Sequence, residues 1–199
     1  MQNKIIIGIL GLAVAASLLW SALLASKVAQ LEKMMAPLKA QQAAADRQKA
    51  LGQKFNQRMA QDQTKYTQEQ LRDAETLYQI ANQKWGTLEA SNSLQTMIQK
   101  YPDLDRTGCA VLYLAQMSTG DDRARYLQDC IDKYNDCFYG DGAQVGPYAR
   151  FMLAEDYKSN GEKQKADALF SEIKAKYPDA IDHSGKLLLD SINAGSKTK

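Results

Sequence analysis

The sequence predicts an all-α fold with an N-terminal transmembrane helix, a helical stalk and an α-solenoid of about three helix hairpins. Three observations predict it. Residues 5–25 are almost wholly apolar; alanine, glutamine, lysine and leucine dominate the rest of the chain; and a helix-pair pattern recurs toward the C-terminus. Runs of β-branched residues are scarce beyond the first few positions, which disfavours sheets.

The first element is the apolar stretch at residues 5–25, IIIGILGLAVAASLLWSALLA. A helix of this length, rising roughly 1.5 Å per residue, can cross a hydrocarbon core of about 30 Å. Trp20 lies near one end, where an interfacial aromatic residue is expected. A cleaved signal peptide is the alternative, but the segment after Ala22 lacks a good small-x-small cleavage site. We therefore predict that residues 1–25 form an uncleaved anchor.

Two patterns give opposite predictions for the side of the membrane. Lys27, Lys33 and Lys39 come after the span, so a count of Lys and Arg favours a cytoplasmic bulk. A short tail carrying Lys4 is instead typical of a signal anchor that leaves the bulk outside. We predict a single-pass protein of the bacterial inner membrane with a periplasmic bulk, and the cytoplasmic orientation stays the alternative.

Residues 26–67 are predicted to form a basic helical stalk. Residues 26–66 carry eight basic and three acidic side chains, whereas the chain from residue 67 onward carries sixteen basic and twenty acidic ones. Pro37 is expected to kink or break the stalk helix. A solvated stalk and a self-associating coiled coil both fit, because two short apolar stripes have helical spacing: Val28, Leu31, Met35 and Leu38, and then Leu51, Phe55 and Met59.

The clearest helix pair lies at residues 148–179. Apolar residues at helical spacing form the facing sides of its two helices: Leu153, Ala154 and Tyr157 in the first, and Ala166, Phe170 and Ile173 in the second. Gly161 can adopt a positive φ and end the first helix, and Pro178 cannot continue the second. The apolar face of one such hairpin is too small to be stable alone, so the hairpin needs neighbours.

Similar helix endings recur upstream of that pair. Tyr101, Tyr134 and Tyr177 each come directly after a lysine near the end of a predicted helix, at intervals of 33 and 43 residues. The longer interval implies an insertion at residues 137–146. The pattern therefore predicts about three hairpins within residues 68–193, a last solvating helix at residues 182–192, and a disordered tail at residues 194–199.

A helix–turn–helix unit with a period in the low thirties is similar to the tetratricopeptide (TPR) repeat. Residues of the last unit match the family consensus in order and spacing: Leu153, Ala154, Tyr157, Gly161, Ala166, Phe170 and Pro178. The first unit retains Leu77, Ala81, Ala90, Leu94 and Pro102. The middle unit looks degraded, since Asn135 replaces the proline. With its N-terminal anchor the chain resembles bacterial envelope TPR proteins.

The resemblance implies a groove, formed by the first helix of each unit, that holds a peptide or a partner helix. It implies two sets of groove residues: Tyr148, Phe151, Glu155 and Lys158 in the third unit, and Arg72, Glu75, Gln79 and Asn82 in the first. The inserted loop either adds Phe138 and Tyr139 as contacts, because long loops between repeats often bind ligands, or is a tolerated surface insertion. The expected function is a membrane-tethered protein-binding scaffold or chaperone-type adaptor. The alternative is a self-assembling structural subunit packed through its apolar N-terminal helix.

No stretch of the sequence predicts catalysis. His183 is the only histidine, and there is no Cys-x-x-Cys, phosphate-binding glycine loop or nucleophile elbow. We therefore predict a non-enzyme with no cofactor and no metal site. The net charge of +2 disfavours nucleic acid as a partner.

The cysteines allow a disulfide. Cys109 lies eleven residues before Gly120 and Cys130 lies ten after it, so the two fall nearly level in an antiparallel hairpin. A bond between them would need an oxidising compartment. Otherwise Cys130 serves as a small apolar core residue.

Overall fold

The computed structural model describes residues 2–195, and for residues 2–19 and 22 it describes the backbone but not the side chains. Within that range every helix or strand element of the chain is an α-helix, apart from two isolated β-bridges, which confirms the all-α prediction. Its helices are α1 (Gln2–Lys65), α2 (Gln68–Gln83), α3 (Leu88–Lys100), α4 (Asp105–Met117), α5 (Gly120–Asp132), α6 (Val145–Ser159), α7 (Lys163–Lys176) and α8 (Leu188–Gly195). The chain divides into two compact units, Met1–Asp46 and Arg47–Lys199.

The first unit consists of the N-terminal part of α1. The predicted anchor at residues 5–25 has a helical backbone, but most of its side chains lie outside those that the structure describes. Across the described residues, no helix combines the length and the apolar character that crossing a membrane requires. Pro37 lies inside α1 and does not end it, because a proline removes one backbone donor and its effect is local.

The second unit begins at Arg47, so it includes the last part of the predicted stalk. Leu51 is buried there against Phe138 and Ile181, and Phe55 packs on the same cluster. The predicted boundary at residue 68 therefore separates two helices of one compact unit. Thr67 marks this break, because its hydroxyl accepts a hydrogen bond from the backbone N–H of Gln70 in a capping box.

Three helix pairs make up most of the second unit, as the spacing predicted. They are α2 with α3, α4 with α5, and α6 with α7, and α3–α4 and α5–α6 contacts stack each pair on the next. Gly86 and Gly161 lie in the turns of the first and third pairs with φ of 76° and 80°, a conformation that favours glycine.

Five of the six residues predicted to pack the third pair are buried. Leu153, Ala154, Ala166, Phe170 and Ile173 are all at most 9% exposed. One core cluster extends from α2 to α6 and a second from α6 to α8. The sixth, Tyr157, is half-buried and packs against both clusters.

A short β-hairpin lies where the sequence predicted an insertion. Phe138 and Gln144 form its antiparallel bridge, and Gly142 closes its turn with φ 92°. The same hairpin recurs 43 residues later, with a bridge between Ile181 and Leu187 and with Gly185 at φ 81°. The closing hydrogen bonds also correspond: Val145 N to Cys137 O, and Leu188 N to Ala180 O, both 2.9 Å. The predicted insertion is therefore part of a 43-residue repeat.

The second hairpin also corrects the predicted cap. Residues 182–187 belong to that hairpin rather than to a helix, and α8 begins only at Leu188. The helix continues through Gly195, two residues into the predicted disordered tail, and residues 196–199 lie outside the described residues. Leu188 and Ile192 are buried against α7, as a capping role requires.

Asn135, at the end of the middle pair, contacts the helix pair that follows it. Its Oδ1 accepts hydrogen bonds from Arg150 Nη1 at 2.7 Å and from the Tyr177 hydroxyl at 2.9 Å. Gly146 approaches so closely that a Cβ there would lie 2.3 Å from the same oxygen. A proline at position 135 could not supply this side-chain acceptor, so the departure from the repeat pattern has a structural reason.

Candidate functional site

The first helices of the three pairs are α2, α4 and α6, and α4 contacts both of the others. We define the first-helix face by the predicted groove residues of α2 and α6 together with two residues of α4, Arg106 and Tyr113, that contact α2. All of these side chains are exposed or half-buried. The face therefore offers accessible polar and aromatic groups on rigid elements, which suits recognition.

The α2 part of the face is a hydrogen-bonded chain. Gln79 Nε2 donates to Glu75 at 2.7 Å, and Asn82 Nδ2 lies 3.5 Å from the Gln79 oxygen. Glu75 also pairs with Arg106 at 3.1 Å. Arg72, one turn before Glu75, is exposed. The structure thus brings three of the four predicted α2 residues together and ties them to α4.

The α6 part presents a charge pair beside aromatic rings. Lys158 Nζ lies 3.3 Å from Glu155 Oε1, and both side chains are about 40% exposed, at 37% and 42%. Phe151 leans on Phe170 with ring centroids 6.2 Å apart. Because this pair is accessible, either member can exchange its partner for a charge on a ligand.

A row of aromatic rings, which the sequence did not predict, crosses the α2–α4 part of the face. Trp85 stacks on Tyr113 with centroids 4.4 Å apart, and Tyr113 lies 5.8 Å from Tyr78. The Arg106 guanidinium lies over the Tyr78 ring at 4.7 Å. Trp85 remains 49% exposed, so a large apolar surface is available where α2 ends. Trp85 lies in the turn after α2 rather than on the helix, so helical spacing from Tyr78 gave no signal for this row of rings.

The two hairpins meet at a His–Asp contact. His183 Nδ1 lies 2.7 Å from Asp141 Oδ2. The rings of Tyr139 and Tyr148 both contact the imidazole edge to face, at 4.5 and 5.1 Å. Since Asp141 and His183 belong to successive hairpins, no sequence pattern indicated that they would be neighbours.

The predicted loop contacts have different outcomes. Phe138 is only 5% exposed, because its ring joins Leu51 and Ile181 in the core; its prediction as a surface contact is wrong. Tyr139 is half-buried, and its hydroxyl donates to the Cys109 carbonyl at 3.2 Å. Tyr139 therefore joins the hairpin to α4 and exposes only part of its ring.

Burial controls the chemistry of the tyrosines. It raises the pKa of Tyr139 well above its ordinary value, and it raises the pKa of Tyr78 as well. For Tyr148, burial is again the main cause of the raised pKa, with smaller contributions from the charges of Asp182 and Asp141. These phenols stay protonated at neutral pH, and that of Tyr139 already donates its proton to the Cys109 carbonyl.

A buried carboxylate cluster fastens the end of α1 to the first hairpin. Asp105 Oδ1 accepts the Phe138 N–H at 3.0 Å and lies 3.5 Å from Arg58 Nε, while Asp62 Oδ2 accepts the Asp105 N–H at 3.0 Å. Burial raises the pKa of Asp105 to about 6. The cluster satisfies backbone donors on two elements, so its role is to position them.

The cysteines are buried free thiols in this structure, so it contains no Cys109–Cys130 bond, the possibility that their spacing allowed. Cys109 Sγ instead lies 3.5 Å from the Phe138 carbonyl oxygen, directed toward the hairpin. Burial raises the pKa of Cys137 to about 12 and the pKa values of Cys109 and Cys130 well above their ordinary range. Such thiols are poor nucleophiles.

Among the residues that the structure describes, no group of three or more His, Cys, Asp or Glu side chains could hold a metal ion. Comparison of the chain with protein-family models, with curated proteins and with solved structures found no match.

Proposed function

We propose that the chain is a TPR-like protein-binding scaffold or chaperone-type adaptor, tethered to a bacterial inner membrane by residues 5–25, that captures a protein segment on its first-helix face. One observation carries this proposal. Accessible charges lie on α6, at Glu155 and Lys158, and the 49% exposed Trp85 lies in the turn directly after α2, so both sit along the first helices of stacked pairs. Each of these helices is supported from behind by its second helix.

The chemistry of the face suits a polypeptide ligand. The side chains of Glu75, Gln79 and Asn82 on α2 carry hydrogen-bond donors and acceptors that can pair with a peptide backbone. Exposed aromatic rings contribute apolar contact at low entropic cost. Both charge signs are present, which favours a ligand of mixed charge over a polyanion.

The membrane tether rests on the sequence. Residues 5–25 carry no charged side chain, and the basic residues of the adjoining stalk suit a position beside anionic headgroups. A cysteine introduced at exposed Ala40 and labelled in intact cells with a membrane-impermeant reagent tests the orientation. Labelling without permeabilising the inner membrane supports a periplasmic bulk, and labelling only after permeabilisation supports the cytoplasmic alternative.

A charge exchange on α6 tests the binding role. The double variant Glu155→Lys, Lys158→Glu keeps the i,i+3 pair and the net charge but inverts the local field. The matched control is Asp122→Arg, Arg125→Asp on α5, which exchanges another exposed i,i+3 pair, 2.9 Å apart. We expect the α6 exchange to reduce recovery of specific co-purifying proteins by about ten-fold, equivalent to about 1.4 kcal/mol, and the α5 exchange to leave it unchanged. Equal recovery with both variants would refute the proposal.

A further inference from the structure

The first compact unit presents an exposed apolar seam. In its described part, every large apolar side chain is exposed. Five of them follow one another at alternating steps of four and three residues, with exposed fractions of 44–65%: Leu24, Val28, Leu31, Met35 and Leu38. This heptad spacing lines one side of a helix and is the pattern of a coiled-coil seam.

The composition of the seam favours two parallel strands. Leucine occupies three successive d positions, at residues 24, 31 and 38. The a positions hold the β-branched Val28, then Met35, then the polar Gln42. Leucine at d with a β-branched residue at a favours a parallel dimer, and a polar residue at a fixes the register.

The flanking charges are complementary for the same arrangement. In this register Lys27 occupies a g position and Glu32 the e position five residues later. A parallel in-register pair places Lys27 of each copy beside Glu32 of the other, so opposite charges meet twice. Pro37 occupies a c position, outside the seam, where its ring does not obstruct a second helix.

We propose that residues 24–45 pair with a second copy of this chain as a parallel, in-register, two-stranded coiled coil. Three heptads are near the lower limit for such a structure, so the pairing depends on concentration and is favoured when both copies occupy one membrane. Pairing in the first unit needs no ligand on the first-helix face. If the chain does not pair, the proposed binding function is unaffected. If the first-helix face binds no protein, the proposed pairing is likewise unaffected.

Cysteine cross-linking of the full chain in mild detergent tests the register. Leu31→Cys and Leu38→Cys each place a thiol at a d position, while Ala40→Cys places one on the outer side as the control. The three native thiols are at most 3% exposed, so the parent chain reports the background. We expect oxidation to link both seam variants into dimers and to leave the control and the parent monomeric. An antiparallel pair could bring at most one of the two seam positions to itself, so cross-linking of only one, or of neither, would overturn the proposal.

Charge exchange at the flanks provides a second, independent readout. Lys27→Glu and Glu32→Lys each place like charges in register, and we expect each to weaken the dimer by about five- to ten-fold, measured as the Kd by light scattering across a dilution series. The double exchange should restore the original Kd. A mass of one chain, a mass of three chains, or a Kd that none of these changes alters would contradict a two-stranded parallel seam.

Discussion

Arg58 Nε lies 3.5 Å from Asp105 Oδ1, and the Asp105 side chain is only 2% exposed. Burial nevertheless outweighs this attraction and raises the pKa of Asp105 from 3.8 to about 6. Between these two pH values, Asp105 therefore holds a proton in the folded state, whereas in the unfolded state it has already released that proton.

The consequence is a pH dependence of opposite sign to that of a salt-bridged carboxylate. Because the folded pKa is raised, the stabilising contribution is complete below about pH 4 and is lost as the pH rises through about 6, on the order of 3 kcal/mol in total. We expect urea unfolding to give a higher free energy of unfolding at pH 5 than at pH 7. Asp105→Asn should remove most of this difference, whereas Asp132→Asn, at an exposed site on α5, should retain it. A wild-type protein that is less stable at pH 5 would contradict the prediction.

The end of α1 should be an energetic part of the second unit. Leu51 is 5% exposed between the two hairpins, so Leu51→Ala should lower the free energy of unfolding by about 2–4 kcal/mol. Leu88 is 76% exposed, and Leu88→Ala serves as the matched control, with a change below about 0.5 kcal/mol expected. Equal effects of the two substitutions in urea titrations would show that residues 47–65 do not stabilise the unit.

Gly146 should tolerate no side chain. A Cβ there would lie 2.7 Å from the Asn135 Cα as well as 2.3 Å from its Oδ1, and the Cα is backbone that cannot move alone. We expect Gly146→Ala to lower the free energy of unfolding by about 1–3 kcal/mol. Gly52→Ala, inside α1 with nothing within 4 Å of the new Cβ, should raise it by about 0.5–1 kcal/mol. Thermal melts of the two variants check both signs.

The native thiols should be unreactive until the protein unfolds. Cys109, Cys130 and Cys137 are at most 3% exposed, and burial raises the pKa of each. Ellman's reagent should therefore modify none of them in native buffer and all three in denaturant. Rapid native modification of any thiol, or recovery of fewer than three in denaturant without reductant, would contradict the free, buried state.

Local periodicity was sufficient to predict the helix pairs. Leu153 and Ala154 lie four and three residues before Tyr157, and Ala166 lies four before Phe170. This spacing places each of them on the apolar side of its helix, and each is buried. Gly161 and Pro178 each lie two residues after the observed end of α6 or α7, close to the predicted ends. Glycine readily adopts a positive φ and proline cannot continue a helix, so both signals depend on the residue itself.

The errors arose where long-range contacts decide the structure. Residues 137–146 looked like an insertion because their sequence differs from that of the second hairpin at most positions. The two segments share a backbone hydrogen-bond pattern, which the sequence does not reveal. Leu51 looked like part of a stalk, because the surface that buries it comes from Phe138 and Ile181, far away in the chain. The His183–Asp141 contact was likewise invisible, since a helix was expected around His183.

Site-specific photo-cross-linking in cells tests directly whether the first-helix face holds another protein, as we propose. A photoreactive phenylalanine analogue replaces Asn82 on α2 or, as the control, Gln128 on α5; both native side chains are exposed amides. We predict a light-dependent adduct of discrete mass to a different protein from position 82 and none from position 128. Adducts of the same identity from both positions, or from position 128 alone, would contradict the claim.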